Sequence, residues 1–249
     1  MSNFGILGKL EFLQNLASVF VSHIPGPIIH NIDKYFAIKK SMYLVALDET
    51  DGDYLEFGIY KGSSFCHAIR CARSFSGISP ILSRMKFYGF DVFGRGFDHL
   101  DESESHKFYV SDNFEADYKK VSKRIARAAS KAQSYRLVKG LFEDTLKGDI
   151  SDLGVSKCSV MFIDSDTYSS ACLALNYSKT SIQSGTIIIL DDFFSYSGDP
   201  DQGVSKAFEE FKYKESYSSR QIFTYGMGGV VHVLKKVKKN SGRGNTINV

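Results

Sequence analysis

The sequence predicts a doubly wound α/β domain: a seven-stranded, mostly parallel sheet with a C-terminal antiparallel hairpin and an N-terminal helical cap. Three observations carry this. Residues 54–64, Y-L-E-F-G-I-Y-K-G-S-S, are a short apolar run that ends in a small-residue turn and leads into helical spacing. Later apolar runs, also followed by helical spacing, end in acids at Asp91, Asp164 and Asp191. Two β-rich runs then close the chain through a short Gly-rich join. Repeated strand–turn–helix units stack into a parallel sheet covered by helices.

Composition bounds the function classes. The chain has 249 residues, the length of one domain with enough material for a large core. Its net charge of +3 comes from 31 basic and 28 acidic residues. Lys235, Lys236, Lys238, Lys239 and Arg243 lie in a last stretch that has no acid. Without those five the balance is 26 against 28, a body near neutral that needs no nucleic-acid partner. Cys66, Cys71, Cys158 and Cys172 form no C-x-x-C pair and read as small buried hydrophobes of a reducing, cytoplasmic compartment. Lys9, Glu11, Gln14 and Asn15 interrupt the apolar N-terminus, so neither a signal peptide nor a membrane span is expected.

In order, residues 4–20 carry Leu7, Leu10, Leu13 and Leu16 at near-helical spacing. Pro25, Gly26 and Pro27 break that pattern, and a second helix is expected over 33–47. Two uses stay open for these helices: a cap on the sheet, and a lid or arm against a second subunit of a homo-oligomer. Residues 1–47 are read as part of the same domain as 48–239, with 240–249 a frayed tail. Strand one precedes Gly58, Gly62, Ser63 and Ser64, a turn that offers backbone N–H groups and a helix N-terminus at the sheet's carboxyl edge. It lacks the G-x-G-x-x-G fingerprint of nicotinamide-binding oxidoreductases. Glu56 at the strand end suits a cationic or hydroxyl-rich ligand.

Strand two, 85–90, ends at Asp91, where this topology places a ribose. Residues 92–113 form a long flap. A helix over 114–133 keeps its basic residues mostly outside, and strand three, 135–138, runs into Gly140 and Phe142. Phe142 suits packing against an adenine, and core packing accounts for it equally well. Strand four, 159–163, precedes D-S-D-T-Y, and a helix over 170–183 leads to strand five, 186–190, which ends in Asp191 and Asp192. A helix over 204–213 and strands over 220–224 and 230–237 complete the domain.

One crossover helix joins strands four and five, so they are expected as parallel neighbours about 4.8 Å apart. Asp164, Asp191 and Asp192 then share one small volume. Three carboxylates at that range repel, and a hard divalent cation resolves the repulsion; oxygen-only ligands suit Mg²⁺, Ca²⁺ or Mn²⁺, and Mg²⁺ is the expected ion. Capping of the following helices accounts for one or two of these acids.

E-F-G-I-Y-K-G-S-S, F-Y-G-F-D-V-F, V-K-G-L-F-E-D-T-L, F-I-D-S-D-T-Y and I-I-I-L-D-D-F-F, in this order, resemble the class I S-adenosylmethionine-dependent methyltransferases, and among them the macrocin O-methyltransferase family. The resemblance runs over about residues 54–211. It implies a Rossmann-like methyltransferase fold and transfer of a methyl group to a hydroxyl of a small molecule, often a sugar unit. It implies that Glu56, Gly58, Tyr60, Ser63, Ser64 and Asp91 hold S-adenosylmethionine, with Gly140, Phe142 and Asp164 around it. Asp164, Asp191 and Asp192 match the Mg²⁺ ligands, and Asp166 matches the general base. The loop after Asp91 reads F-G-R-G-F-D where the family has G-L-P. The alternatives are a hydroxylase or other non-methylating enzyme on the same scaffold, and a cofactor-binding module without catalysis.

Overall fold

A computed structural model of the chain describes residues 10–94, 116–130 and 133–237. The expected tail, most of the flap and the first turns of the N-terminal helix lie outside the described residues. Two helices come first, α1 (Glu11–Ser22) and α2 (Gly26–Leu47). There follow β1 (Asp53–Phe57), α3 (Ser63–Phe75), α4 (Ile81–Arg84), β2 (Phe87–Asp91), α5 (Tyr118–Ala129), β3 (Tyr135–Lys139) and α6 (Phe142–Thr145). After a 3₁₀ turn come β4 (Cys158–Ile163), α7 (Tyr168–Ser178), β5 (Ile182–Leu190), α8 (Gly203–Glu215), β6 (Tyr217–Tyr225) and β7 (Gly229–Lys236).

The seven strands form one sheet in the order β3-β2-β1-β4-β5-β7-β6. β1 to β5 are parallel, and β7 slots antiparallel between β5 and β6. Side-chain alternation along β1 splits the core in two. Tyr54 joins Ile38, Met42, Phe65, Phe87 and Ile125 on the α2, α3 and α5 face. Leu55 and Phe57 join Phe90, Met161, Leu175 and Phe208 on the α7 and α8 face. This is the doubly wound fold with its hairpin. The chain reverses direction across the sheet between β1 and β4, the switch point where such sheets bind ligands.

The structure differs from the sequence expectation at several element ends; α5, expected over 114–133, runs only from Tyr118, behind its Asp117 cap, to Ala129. α2 starts at Gly26, because Pro27 falls in the first turn, where its missing N–H costs nothing. α7 stops at Ser178, and Ile182 already pairs with Cys158 in the sheet. Ser184 and Gly185 therefore form a bulge inside β5: Gly185 has φ +93°, and the Thr186 hydroxyl donates to the Cys158 carbonyl at 2.7 Å. β6 extends to both sides of residues 220–224. Cys66, Cys71 and Cys158 are buried free thiols, and Cys172 is partly exposed. Among the described residues, no helix is long and apolar enough to cross a membrane.

Candidate active site

The carboxyl ends of β1, β2, β4 and β5 bring the predicted acids together at the switch point. Gly58, after β1, has φ +91°, and a Cβ there would lie 1.8 Å from the Asp164 carbonyl oxygen. Only glycine lets the turn pass so close to the end of β4. The Asp164 N–H donates to the Phe57 carbonyl at 2.8 Å and fixes the two strand ends against each other.

Asp91 answers the turn from β2. Its Oδ2 accepts the Ile59 and Tyr60 N–H groups, each at 2.7 Å, and its Oδ1 accepts that of Phe93 at 2.7 Å. The amides expected to face a ligand are thus partly used by Asp91 itself. Burial raises its carboxyl above the ordinary range, with the three N–H donors pulling it back. Oδ1 keeps a lone pair for a further donor such as a hydroxyl. Tyr60, whose N–H makes one of these bonds, sits at φ +49°. Ser63 opens α3 behind Gly62, which lies at φ +76° and gives the helix no side-chain cap.

Glu56 is fully buried, a placement the sequence does not reveal. The Ser64 hydroxyl donates to its Oε1 at 2.6 Å and the Tyr54 hydroxyl to its Oε2 at 2.5 Å. It braces β1 to α3 from inside rather than lying open to solvent. Burial pushes its carboxyl up to about 7, against the pull of Ser64, Tyr54 and Lys34. The folded state therefore binds this proton more tightly than the unfolded state, and stability drains as pH rises from the ordinary carboxylate value toward 7. Glu56→Gln should remove that slope. Relative to wild type it should gain on the order of 1–3 kcal/mol between about pH 4.5 and 7, read by urea unfolding across pH. Parallel stability curves for the two proteins would discard this role for Glu56.

Gly140 follows β3 at φ +147°, and its N–H donates to the Asp91 carbonyl at 3.0 Å. Phe142 packs edge-on against Phe57 at 5.9 Å, in the core on the α7 and α8 face, and stays partly exposed.

At β4 and β5, carboxylate oxygens of Asp164, Asp166 and Asp192 lie within 4.8 Å of one another. Of the three expected ligands, Asp164 and Asp192 thus converge, and the third member of the converging set is Asp166. Asp191 sits beside them, hydrogen-bonded to Asp164 and joined to it through Lys34. Lys34 of α2 reaches Asp191 Oδ2 at 2.7 Å and Asp164 Oδ2 at 2.8 Å. His30 Nε2 lies 3.1 Å from Asp191 Oδ2, and the Tyr225 hydroxyl donates to Asp191 Oδ1 at 2.6 Å. The Met227 N–H donates to His30 Nδ1 at 3.2 Å, so the ring proton is on Nε2 and points at Asp191. Together with Asp164, these contacts engage both oxygens of Asp191.

The electrostatics follow from this packing. Burial raises Asp191, but the Lys34 charge and the His30 hydrogen bond outweigh it and hold this carboxyl well below the usual range. Burial works against the Lys34 charge, and Asp164 and Asp191 more than restore it. Burial and the neighbouring Asp191 push Asp164 well above its ordinary value. Burial, then Asp166 and Asp191, do the same to Asp192. Asp166 is raised by burial to about 6, moderated by its hydrogen bond to Asp192. Four carboxyls meet one ammonium, so full ionisation needs protons or an added cation. An all-oxygen, acidic donor set fits a hard divalent ion.

Asp166 has φ +65°, a left-handed conformation uncommon outside glycine, asparagine and aspartate. It does not cap α7. Thr167 does, its hydroxyl accepting the Ser170 N–H at 3.2 Å. Lys34, His30 and Tyr225 are site residues that sequence reasoning missed. The available signal was Lys34 itself, a lysine four residues before Ile38 and eight before Met42 on the inward stripe of α2.

Residues 34–222 match the macrocin O-methyltransferase (TylF) family, well over half of the chain. No curated protein matches in sequence. Among solved structures, the chain is similar to the O-methyltransferase NovP, at 17% identity over 83% of this chain and 81% of that one, with a TM-score of 0.64. It is similar to the calicheamicin methyltransferase CalS11, at 16% identity over 91% and 92%, with a TM-score of 0.64. The apo form of CalS11, described as a TDP-rhamnose 3'-O-methyltransferase, superposes with a TM-score of 0.56 at 16% identity over 90% and 93%. An O-methyltransferase from Bacillus cereus, solved with SAH, superposes with a TM-score of 0.50 at 17% identity over 91% and 89%. At these identities the likeness establishes the fold, and the family match establishes the family. The chain belongs to the macrocin O-methyltransferase family of the class I S-adenosylmethionine-dependent methyltransferases.

Proposed function

We propose that this enzyme transfers a methyl group from S-adenosylmethionine to a hydroxyl of a small molecule, a saccharide unit, with a Mg²⁺ ion at the carboxylate cluster. The convergence of Asp164, Asp166 and Asp192 beside the Gly58 turn is the observation that carries this reading. The sugar acceptor is supported by the description of CalS11, and by a site whose polar groups suit a ligand with neighbouring hydroxyls.

The donor brings an electrophilic sulfonium methyl, so the protein's work is alignment and deprotonation. Asp91, anchored by three amides, keeps a lone pair for the donor's hydroxyls, and the partly exposed Phe142 ring suits the adenine. Asp164 and Asp192 are the residues that would hold the cation, which when bound acidifies a substrate hydroxyl beside it. Lys34, His30 and Tyr225 fix Asp191 behind them. Asp166, with its carboxyl raised to about 6, accepts the hydroxyl proton near neutral pH.

Calorimetry should show S-adenosylhomocysteine binding, weakened by at least about tenfold in Asp91→Asn, since a bond to a charged acceptor is lost. Binding of NADH without S-adenosylhomocysteine would refute the donor assignment. Turnover should fall in chelator and return with Mg²⁺, while full activity in excess EDTA would remove the cation from the reaction.

A further inference from the structure

The carboxyl cluster already holds a cation supplied by the chain itself. Lys34 Nζ lies 2.7 Å from Asp191 Oδ2 and 2.8 Å from Asp164 Oδ2, bridging the ends of β4 and β5. Only 10% of its side chain is exposed, and the head lies 5.6 Å from the centre of the Phe162 ring. Asp164 thereby serves two groups at once. It converges with Asp166 and Asp192 as a candidate ligand, and it pairs with Lys34. Asp191 differs, because His30 and Tyr225 hold it as well. When the Lys34 head moves, Asp191 keeps those two partners, so the contact to Asp164 is the one the cluster can give up. The flexible lysine stem allows this: the ammonium can turn away while Ile38 and Met42 keep α2 on the core.

A divalent ion and an ammonium on one carboxylate repel, and burial leaves that repulsion poorly screened. The acids of the cluster outnumber this one ammonium, so Lys34 alone does not neutralise them and a metal still gains by entering. We infer that Lys34 is a resident counter-ion that a divalent cation displaces from Asp164, and that this competition sets the affinity of the site for metal. The inference rests on the Mg²⁺ site proposed above and adds to it a residue that is not an acid. It also relates the two ligand sets. The metal-free geometry gathers Asp164, Asp166 and Asp192, while Asp191, matched to a ligand by resemblance, is the acid that Lys34 occupies. A lysine with a merely structural role has the opposite consequence, since its loss loosens the acids and weakens their grip on an ion.

Calorimetric titration of Mg²⁺ into the full chain, without donor or acceptor and at one pH, tests it. Lys34→Met should bind Mg²⁺ at least about tenfold more tightly than wild type, because wild type first gives up a charge-assisted hydrogen bond. Lys34→Arg keeps the charge and should stay within a few-fold of wild type. Lys39→Met removes an exposed charge from the same helix and should leave the affinity unchanged. A second measurement uses wild type itself, carrying isotope-labelled lysine. The Nζ resonance of Lys34, identified by its absence in Lys34→Arg, should shift and exchange its protons faster as Mg²⁺ saturates the site. Equal or weaker binding by a folded Lys34→Met, or a Lys34 resonance that saturating Mg²⁺ leaves unchanged, would overturn the inference while the Mg²⁺ site stands. Absence of Mg²⁺ binding in both wild type and Lys34→Met would overturn the two together.

Discussion

Asp166→Asn should lower turnover by roughly 10²–10⁴-fold, the usual worth of a positioned general base. The substitution is close to silent in every other respect. Asn is one of the few residues that tolerates a left-handed backbone, and Asp166 sits at φ +65°. Thr167, not Asp166, caps α7, so the helix keeps its N-terminus. Asn also has the size of Asp and keeps an acceptor oxygen for the Asp192 side. What it loses is the capacity to take a proton. Binding of S-adenosylmethionine and of Mg²⁺ should stay within a few-fold of wild type. Steady-state turnover and both binding constants decide the matter. Wild-type turnover would rule out the base, and a collapse of Mg²⁺ affinity alongside turnover would make Asp166 a ligand, which its convergence with Asp164 and Asp192 also permits.

Lys34→Met should destabilise the metal-free enzyme by about 3–5 kcal/mol, the cost of removing one partner from a buried ion pair. Lys34 is the only ammonium within reach of Asp164 and Asp191 among the described residues, at 2.8 and 2.7 Å. It is 8% exposed, and its head also lies 5.6 Å from the centre of the Phe162 ring. Without it, two carboxyls face each other in a site of low polarity, and His30 and Tyr225 are left to hold Asp191. Methionine fills the stem's volume, so packing loss stays small and the charge carries the effect. Mg²⁺ should recover part of the lost stability in the variant, because a cation relieves the same repulsion. Urea unfolding of both proteins with and without Mg²⁺ measures this. A variant as stable as wild type in EDTA would show that the carboxyls are neutral there, and that Lys34 does not hold the cluster.

The sheet was legible because each strand is a short apolar run closed by an acid or a glycine, and because the pattern repeats. Asp91, Asp164, Asp191 and Asp192 were legible for the same reason: they mark strand ends, and parallel neighbours bring strand ends together. The partners of those acids were not legible. Lys34 meets Asp164 across 130 residues and His30 meets Asp191 across 161, from a helix whose docking no local pattern encodes. Nor does strand alternation foretell that Tyr54 and Ser64 close over Glu56, since that depends on how α3 packs back on β1. The β5 bulge was not legible because Ser184 and Gly185 look like the stop of a helix ending at Gln183, while the Thr186 hydroxyl replaces a ladder contact to Cys158.

The central claim is that the carboxylate edge of β4 and β5 is where a methyl group meets a hydroxyl oxygen. Incubation of the enzyme and Mg²⁺ with trideuteromethyl S-adenosylmethionine and a panel of glycosides bearing neighbouring hydroxyls tests it in one measurement. The expected result is an acceptor carrying the deuterated methyl on oxygen, one S-adenosylhomocysteine formed per label transferred, and roughly 10²–10⁴-fold slower labelling with Asp166→Asn. Label recovered on nitrogen or carbon, or equal product from Asp166→Asn and wild type, would contradict it.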